Sequence, residues 1–382
     1  MSHSQDIGHS FFSIGQDFIV IGEPMPYDMY INSSSLSNKE KFVRIFPEGE
    51  ILSQEMLDEF IHKYLRLYVP EKQRNKYMRS LVNSKGADKV GKANFIKESA
   101  ISYLDELFNK KKEFSTEVLS QTIRDSREAV ESMVDVLHDY KIDDLRRMIG
   151  NLSFHDFYTF DHSINVAMYS ITIYKAYRPM ATRLELVHVG LGGLLHDLGK
   201  VKIPTDILNN PGKLSELEYK EIKKHPDFGL DLIMSGHCDV SADLDLKAIS
   251  RVIHEHHENI DGSGYPRGLK APAISLYSKV VAIADFFDAI TTKRSYTQVL
   301  DLDEALKIMS RTVGIKIDGD IFSVFTQQTK KIILKDTIKF ELDNSFDPTI
   351  PFAVLPLVPV TLDTTPSDFG KIIQKIPETK KK

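Results

Sequence analysis

Leu194-Leu195-His196-Asp197-Leu198-Gly199-Lys200 is the stretch on which the reading of this chain turns. An apolar run, Val187 to Leu195, ends in an imidazole and a carboxylate, and a lysine follows three residues past the carboxylate. The run reads as a buried helix with His196 and Asp197 at its end. A carboxylate ionised in that setting is costly unless it is paired or metal-bound. Neighbouring residues lie about 100° apart around a helix. The pair therefore serves one metal only along a helix edge, or its carboxylate joins two metals. Taken alone, a hydrogen-bonded pair at a helix end also explains it.

The company of the pair carries more weight. His162 opens a helix whose apolar residues Ile164, Val166, Ala167 and Ile171 keep a helical period. His225 precedes Pro226, which marks a helix end; by itself it reads more readily as a surface histidine. Val252-Ile253-His254-Glu255-His256-His257-Glu258 runs into Asp261-Gly262-Ser263-Gly264-Tyr265-Pro266. Histidines and glutamates at a helix end beside a Gly-rich turn supply imidazoles, carboxylates and room for a ligand. Asp285 is the one charge in Val280-Val281-Ala282-Ile283-Ala284-Asp285, and it asks for a cation. His162, His196, His225, His256, His257, Asp197 and Asp285 together form a nitrogen and oxygen donor set without thiolate, suited to first-row divalent metals. That set exceeds one coordination sphere with an open position. It fits two metals sharing a carboxylate, with Asp197 as the natural bridge. Two adjacent metals suit phosphoester hydrolysis, because they generate hydroxide and hold both the attacking and the leaving oxygen. His188 reads as structural, His254 as facing away, and His155 and His237 carry no assigned role.

Composition bounds the alternatives. The 382 residues, 42% hydrophobic and 27% charged, predict a globular chain of two or three domains. A formal charge of -5 offers no global basic field for nucleic acid, so a small anionic ligand needs local Lys and Arg. Cys238 is the only cysteine, which excludes an intrachain disulfide framework and fits a reducing compartment. No apolar stretch reaches the roughly 18–20 residues of a membrane span. The polar start, Met1 to Gln16, has no signal-peptide pattern, so a cytoplasmic location is expected.

The expected fold class is mainly α: an all-helical core preceded by a small α/β N-terminal domain. Residues 1–15 read as an arm and 16–85 as the α/β module. Its strands are expected at Phe18–Ile21, Lys41–Phe46 and Tyr64–Val69, with a helix from Ser53. Residues 86–150 read as a linker, charged through Lys97 and helical from Glu98. Pairing of these helices between subunits would make a homodimer. Residues 151–328 form the core, with roughly five to seven helices at ordinary helix lengths. Residues 329–382 are a Pro-rich C-terminal extension. An alternating run there, Ile332 to Glu341, reads as a short hairpin strand, and the prolines after it make either a packed extended arm or a disordered tail.

From Phe157 to about Phe325 the chain resembles the HD-GYP phosphodiesterases, a subgroup of the HD superfamily. The likeness is carried in order by Tyr158-Thr159-Phe160-Asp161-His162-Ser163, by Leu195 to Lys200 with Ile203-Pro204 and Pro211-Gly212-Lys213-Leu214, and by Lys223-Lys224-His225-Pro226 with Gly229. It continues through His256-His257-Glu258 with Asp261 to Leu269, and closes on Ala284-Asp285-Phe286-Phe287-Asp288-Ala289. The resemblance implies hydrolysis of cyclic di-GMP, to the linear dinucleotide or onward to GMP, with two divalent ions, iron or manganese. It implies one ion on His162, His196, Asp197 and Asp285, and the other on Asp197, His225, His256 and His257. Asp197 and Lys200 would be catalytic, Lys200 and Arg294 would meet phosphate, and Gly264 and Tyr265 would shape the substrate wall.

Three departures qualify the pattern. Tyr158 stands where some members carry a Glu for a third metal, so two are expected. Asn259 stands where Arg is usual, and Ser295 and Thr297 replace Pro and a basic residue beside Arg294. These changes keep two alternatives open: a cyclic-dinucleotide-binding module that signals to a protein partner, or a hydrolase of a mixed cyclic GMP-AMP.

Overall fold

The computed structural model describes residues 11–15, 18–34, 40–84, 89–108, 115–137, 158–208, 210, 214–235, 242–291, 300, 302–328, 340–342, 347 and 357–359. The chain divides into two compact units, Met1–Asn109 with Gln121–Asp139, and Lys110–Ser120 with Tyr140–Lys382.

The first unit holds an antiparallel sheet of order β1-β4-β2-β3. Its strands are β1 (Phe11–Ile14), β2 (Met29–Asn32), β3 (Phe42–Phe46) and β4 (Leu67–Pro70). Alternate residues point inward: Phe12 and Ile14, Met29 and Ile31, and Leu67 and Val69 are buried. Helix α1 (Gln54–Lys63) starts where Ser53 Oγ accepts the Met56 amide at 3.2 Å. Helices α2 (Arg74–Asn83), α3 (Lys89–Phe108) and α4 (Thr116–Leu137) complete the set.

Several local expectations shift. Phe18–Ile21 is not a strand; β1 lies instead inside the predicted N-terminal arm, and β2 was not predicted. A short apolar run does not reveal its ladder partner, and β4 pairs with Phe11–Ile14. The charged segment Lys89 to Lys97 is already helical and forms the start of α3. In α4, Ile123, Ala129, Met133 and Leu137 are buried, and Val118 and Val136 are half-buried.

Nine α-helices are described in the second unit. They are α5 (Tyr158–Tyr177), α6 (Arg183–Leu195), α7 (Thr205–Leu208), α8 (Glu216–Ile222), α9 (His225–Ser235), α10 (Leu246–Glu255), α11 (Leu276–Thr291), α12 (Leu302–Ser310) and α13 (Gly319–Gln327). The excess over the expected number comes from short pieces such as α7 and α8, cut by prolines and by the Ser215 cap. The central helix is α6, buried at every position from Leu186 to Leu195. It begins with a reciprocal cap: Thr182 Oγ1 accepts from the Glu185 amide, and Glu185 Oε2 accepts from the Thr182 amide at 2.8 Å. Helices α5, α10 and α11 pack against it. The 3-10 turn Leu198–Lys202 follows and lies against α9. Gly199 permits that approach, since a Cβ there would stand 1.8 Å from the His225 carbonyl oxygen.

In the C-terminal extension, β5 (Phe340–Leu342) pairs antiparallel with β6 (Leu357–Pro359). The rest of the predicted Ile332–Glu341 strand and the terminal tail lie outside the described residues, apart from Asp347. Among the described residues no helix is long and apolar enough to cross a membrane.

Candidate metal centre

The seven predicted ligands come together in two groups: His162, His196 and Asp285, and Asp197, His225, His256 and His257. Helix ends place most of them. α6 stops at Leu195 with His196 as its C-cap, and α10 stops at Glu255 with His256 as its C-cap. His225 follows the end of α8 and opens α9, so Pro226 marks a helix start rather than the expected end. Proline fits the first helical turn because its missing N–H has no partner to lose there. His162 lies one turn into α5, and Asp285 lies within α11.

One device repeats at the helix ends. His196, His225 and His256 each turn Nδ1 back to the carbonyl three residues upstream: Gly193 at 2.7 Å, Ile222 at 2.9 Å and Ile253 at 2.9 Å. A carbonyl only accepts, so each Nδ1 carries the proton and each Nε2 presents a lone pair when the ring is neutral. The Nε2 atoms of His225 and His256 then face each other at 3.1 Å. His196 Nε2 lies 3.2 Å from Asp197 Oδ2, and His225 Nε2 lies 3.3 Å from Asp197 Oδ1. Lone pairs turned toward one another at such distances repel unless a cation stands between them.

His162 is oriented differently. Its Nδ1 donates to Asp288 Oδ2 at 2.7 Å, and its Nε2 lies 3.1 Å from Asp285 Oδ1. Burial works against its charge, but the Asp285 and Asp288 carboxylates outweigh that and push its pKa up to about 9. Burial drives His225 the other way, to about 3, and His256 to about 4, which keeps both as neutral donors. For Asp197, burial opposes ionisation, yet His196 and Lys200 hold the carboxyl well below its usual range.

Two buried oxygens test the fit. Asp197 Oδ1 and Asp285 Oδ1 have no hydrogen-bond partner. A buried acceptor left unsatisfied costs about 1–3 kcal/mol. Asp197 Oδ1 sits beside the lone pair of His225 Nε2, and Asp285 Oδ1 sits 3.1 Å from His162 Nε2, where a cation would take the place of the proton. A divalent cation in each group answers both features, so the residues fit the metal chemistry that the donor set implies.

Beside the two groups lies a cavity of about 330 Å³ lined by His256, His257, Asp285, Tyr219, Tyr265 and Asp347, among others. Tyr265 stacks on His257 with ring centroids 4.8 Å apart and planes at 23°. Gly264 presses this turn onto the paired histidines, since a Cβ would meet the Asn259 nitrogen at 2.2 Å and the His257 oxygen at 2.4 Å. Glu258 fastens the turn by accepting from the Arg267 and Leu269 amides, each at 2.8 Å. Asn259 donates to Ser263 Oγ at 3.0 Å. Lys200 is buried, and its Nζ donates to Asp197 Oδ2 at 2.6 Å. Arg294, Ser295, Thr297, His155, His237 and Pro211-Gly212 lie outside the described residues. His188 accepts from the Asp245 amide at 3.0 Å, and His254 pairs with Asp227 at 2.9 Å, so neither joins the centre.

Three residues around the site escaped the sequence reading: Asp288, Asn165 and Asp347. Asp288 orients His162 and is itself held by Asn165 Nδ2 at 3.0 Å. The signal was present: Asp288 follows Asp285, and Asn165 follows His162, each by three residues on a buried helix face. Asp347 had no such signal.

Residues 176–321 match the HD domain family. A cyclic di-GMP phosphodiesterase of Pseudomonas aeruginosa is 35% identical over 181 residues, which is 45% of this chain and 39% of that one. A 3'3'-cGAMP-specific phosphodiesterase 1 of Vibrio cholerae is 36% identical over 180 residues, 46% of this chain and 38% of that one. The cyclic di-GMP phosphodiesterase response regulator RpfG of Xanthomonas campestris is 43% identical over 134 residues, 35% of this chain and 34% of that one. The chain thus spans less than two fifths of the length of these relatives. Among solved structures, the HDG"Y"P protein Bd1817 from Bdellovibrio bacteriovorus shares the fold, with a TM-score of 0.51 at 19% identity over 83% of this chain and 98% of that one. Within the helical unit of this chain, residues 176–321 are thus similar to the HD domain family.

Proposed function

We propose that the chain is a metal-dependent phosphodiesterase of cyclic dinucleotides, with cyclic di-GMP as the first substrate to test. One observation carries the reading. The two oxygens of Asp197 face different histidine groups, Oδ2 toward His196 and Oδ1 toward His225, and Oδ1 lacks a hydrogen bond. A carboxylate shared by two cations needs that arrangement. When bound, two divalent cations, iron or manganese, supply Lewis-acid charge at a phosphoryl oxygen and lower the pKa of water. His162, His196 and Asp285 would hold one and His225, His256 and His257 the other, with Asp197 available to both. Lys200 keeps Asp197 ionised and puts a positive charge where phosphate charge develops. Tyr265, seated by Gly264, forms the wall against the substrate. Arg294 is the second phosphate contact.

The test is turnover. The protein is purified without oxygen and loaded with Fe(II) or Mn(II), and cyclic di-GMP is followed to linear dinucleotide or GMP. Product in either metal is expected. No turnover with both ions bound overturns the enzymatic reading, and tight binding of intact ligand would then support a signalling module with a protein partner. Asn259, tied to Ser263 where the family usually has Arg, favours that second reading. Relatives named for two different cyclic dinucleotides support the substrate class. Competition between cyclic di-GMP and 3'3'-cGAMP for the same site separates the bases.

A further inference from the structure

Asp347 comes from the C-terminal extension, yet it lies buried in the cavity beside the candidate metal centre. Its Oδ2 accepts from the Tyr265 hydroxyl at 2.7 Å and from the Tyr219 hydroxyl at 3.3 Å. Its Oδ1 is 3.8 Å from His257 Nδ1. The Lys223 ammonium lies 4.7 Å from the Tyr219 ring centroid and 4.6 Å from that of Tyr265. Two phenols, an imidazole edge and an ammonium thus converge on one small region. Hydroxyl donors and a cation in a buried setting are the chemistry that receives an anionic oxygen. Burial, and then Asp347, push the Tyr219 phenol pKa up, so it stays a donor.

We propose that Tyr219, Tyr265, Lys223 and His257 form a phosphate-receiving subsite, and that Asp347 fills it as a competing anion supplied by the chain itself. The identity of the natural ligand, a phosphate of a cyclic dinucleotide or of its product, rests on the phosphodiesterase reading; the subsite does not. A cyclic dinucleotide brings two negative phosphodiesters into this cavity. A carboxylate fixed there would repel them, whereas one that yields would exchange its two phenol hydrogen bonds for theirs. The GYP tyrosine is thereby committed to Asp347 until an anion replaces it.

Inorganic phosphate is the direct probe, titrated calorimetrically into the full chain with a chelator present, so that neither metal nor turnover enters. Asp347→Ala is expected to bind phosphate about tenfold more tightly than the parent, the scale of one freed charge-assisted hydrogen-bond site. Adding Tyr219→Phe to that variant should remove the gain. Asp347→Asn keeps the side-chain shape and removes the charge, and it should shift affinity in the same direction by less. In the metal-loaded protein, Asp347→Ala should lower KM for cyclic di-GMP without loss of bound metal. Unchanged or weaker phosphate binding in both Asp347 variants overturns the proposal. So does a fall in bound metal, which would make Asp347 a ligand, or a raised KM rescued by Asp347→Asn, which would make it a positioning residue. If no chain turns over while the phosphate gain persists, the phosphodiesterase reading fails and the subsite stands.

Discussion

The two ligand groups share main-chain aim, which also holds His196 through the Gly193 carbonyl, and they differ at His162. In the group of Asp197, His225, His256 and His257, the rings of His225 and His256 are aimed by main-chain carbonyls at helix ends. In the group of His162, His196 and Asp285, His162 is aimed by a side chain, Asp288, which is held in turn by Asn165. Main-chain aim comes with the fold itself. The last carbonyls of a helix lack partners inside it, and a histidine just past the end satisfies one of them while its other nitrogen points away. The partial negative charge at those helix ends also favours a cation. Side-chain aim is a separate arrangement that a single substitution can remove. The first kind of support should therefore fail only with the ligands or the fold, and the second one residue at a time.

The largest effect tests what the groups share. Asp197→Ala should empty both groups and lower activity by more than about 100-fold, beyond the range that an orienting residue costs. Metal content by mass spectrometry, expected to fall from two ions per chain toward none, checks it. Loss from one group alone would mean that the groups are independent and Asp197 is no bridge. His162→Ala and His256→Ala should each remove about half the metal, one from either group.

Chelation comes next. Removing the cations leaves the facing nitrogens of His225 and His256 and the unpaired oxygens of Asp197 and Asp285 in place. Each ion present at about 100 times its Kd contributes about 2.7 kcal/mol. For a chain of this class that corresponds to roughly 5–10 °C in Tm at 2–4 °C per kcal/mol. Differential scanning calorimetry with and without chelator reads the shift, and an unchanged Tm would show that the groups hold no cation.

These supports also explain which parts of the site could be read from sequence. His196 and His256 stand where an apolar helical run stops, so their chain position states their role. The same logic misplaced Pro226, because two helices meet at His225 and the proline belongs to the second. Asp288 and Asn165 were legible only as the partners of Asp285 and His162 on shared helix faces, and a pattern built on ligands passes over the residues that aim them. Asp347 was illegible. Nothing in a proline-rich segment announces that one carboxylate reaches two tyrosines, Tyr219 and Tyr265, more than 80 residues away in sequence. In the first unit β3 and β4 were legible from β-branched and aromatic runs, whereas β1 depends on pairing with β4, a contact between distant segments.

Asp288→Asn separates the supports directly. The amide can still meet His162 but no longer sets its Nδ1–H by charge, and orienting residues of metal ligands typically cost about 10–100-fold in metal affinity. The loss should fall on the His162 group alone. Competitive titration with a metal indicator should then show one weakened ion and one unchanged. Equal weakening of both would erase the distinction between side-chain and main-chain aim.

The smallest effect lies one step further out. Asn165 touches neither candidate cation nor His162 Nε2; it donates to the far oxygen of Asp288 at 3.0 Å. Asn165→Ala removes that bond while leaving the Asp288–His162 bond intact. A typical hydrogen bond contributes about 1 kcal/mol net, and only part of that reaches the ring through Asp288. Metal affinity of the His162 group should therefore weaken by about fivefold or less, with the other group untouched. A larger loss than in Asp288→Asn would place the support in the packing of α5 against α11 rather than in the hydrogen-bond chain. Because Asn165 is buried and a cavity could mimic such a loss, Asn165→Asp gives the second reading. It preserves volume but sets a carboxylate against Asp288, so it should weaken the first ion more than Asn165→Ala does if the chain of bonds is what aims His162.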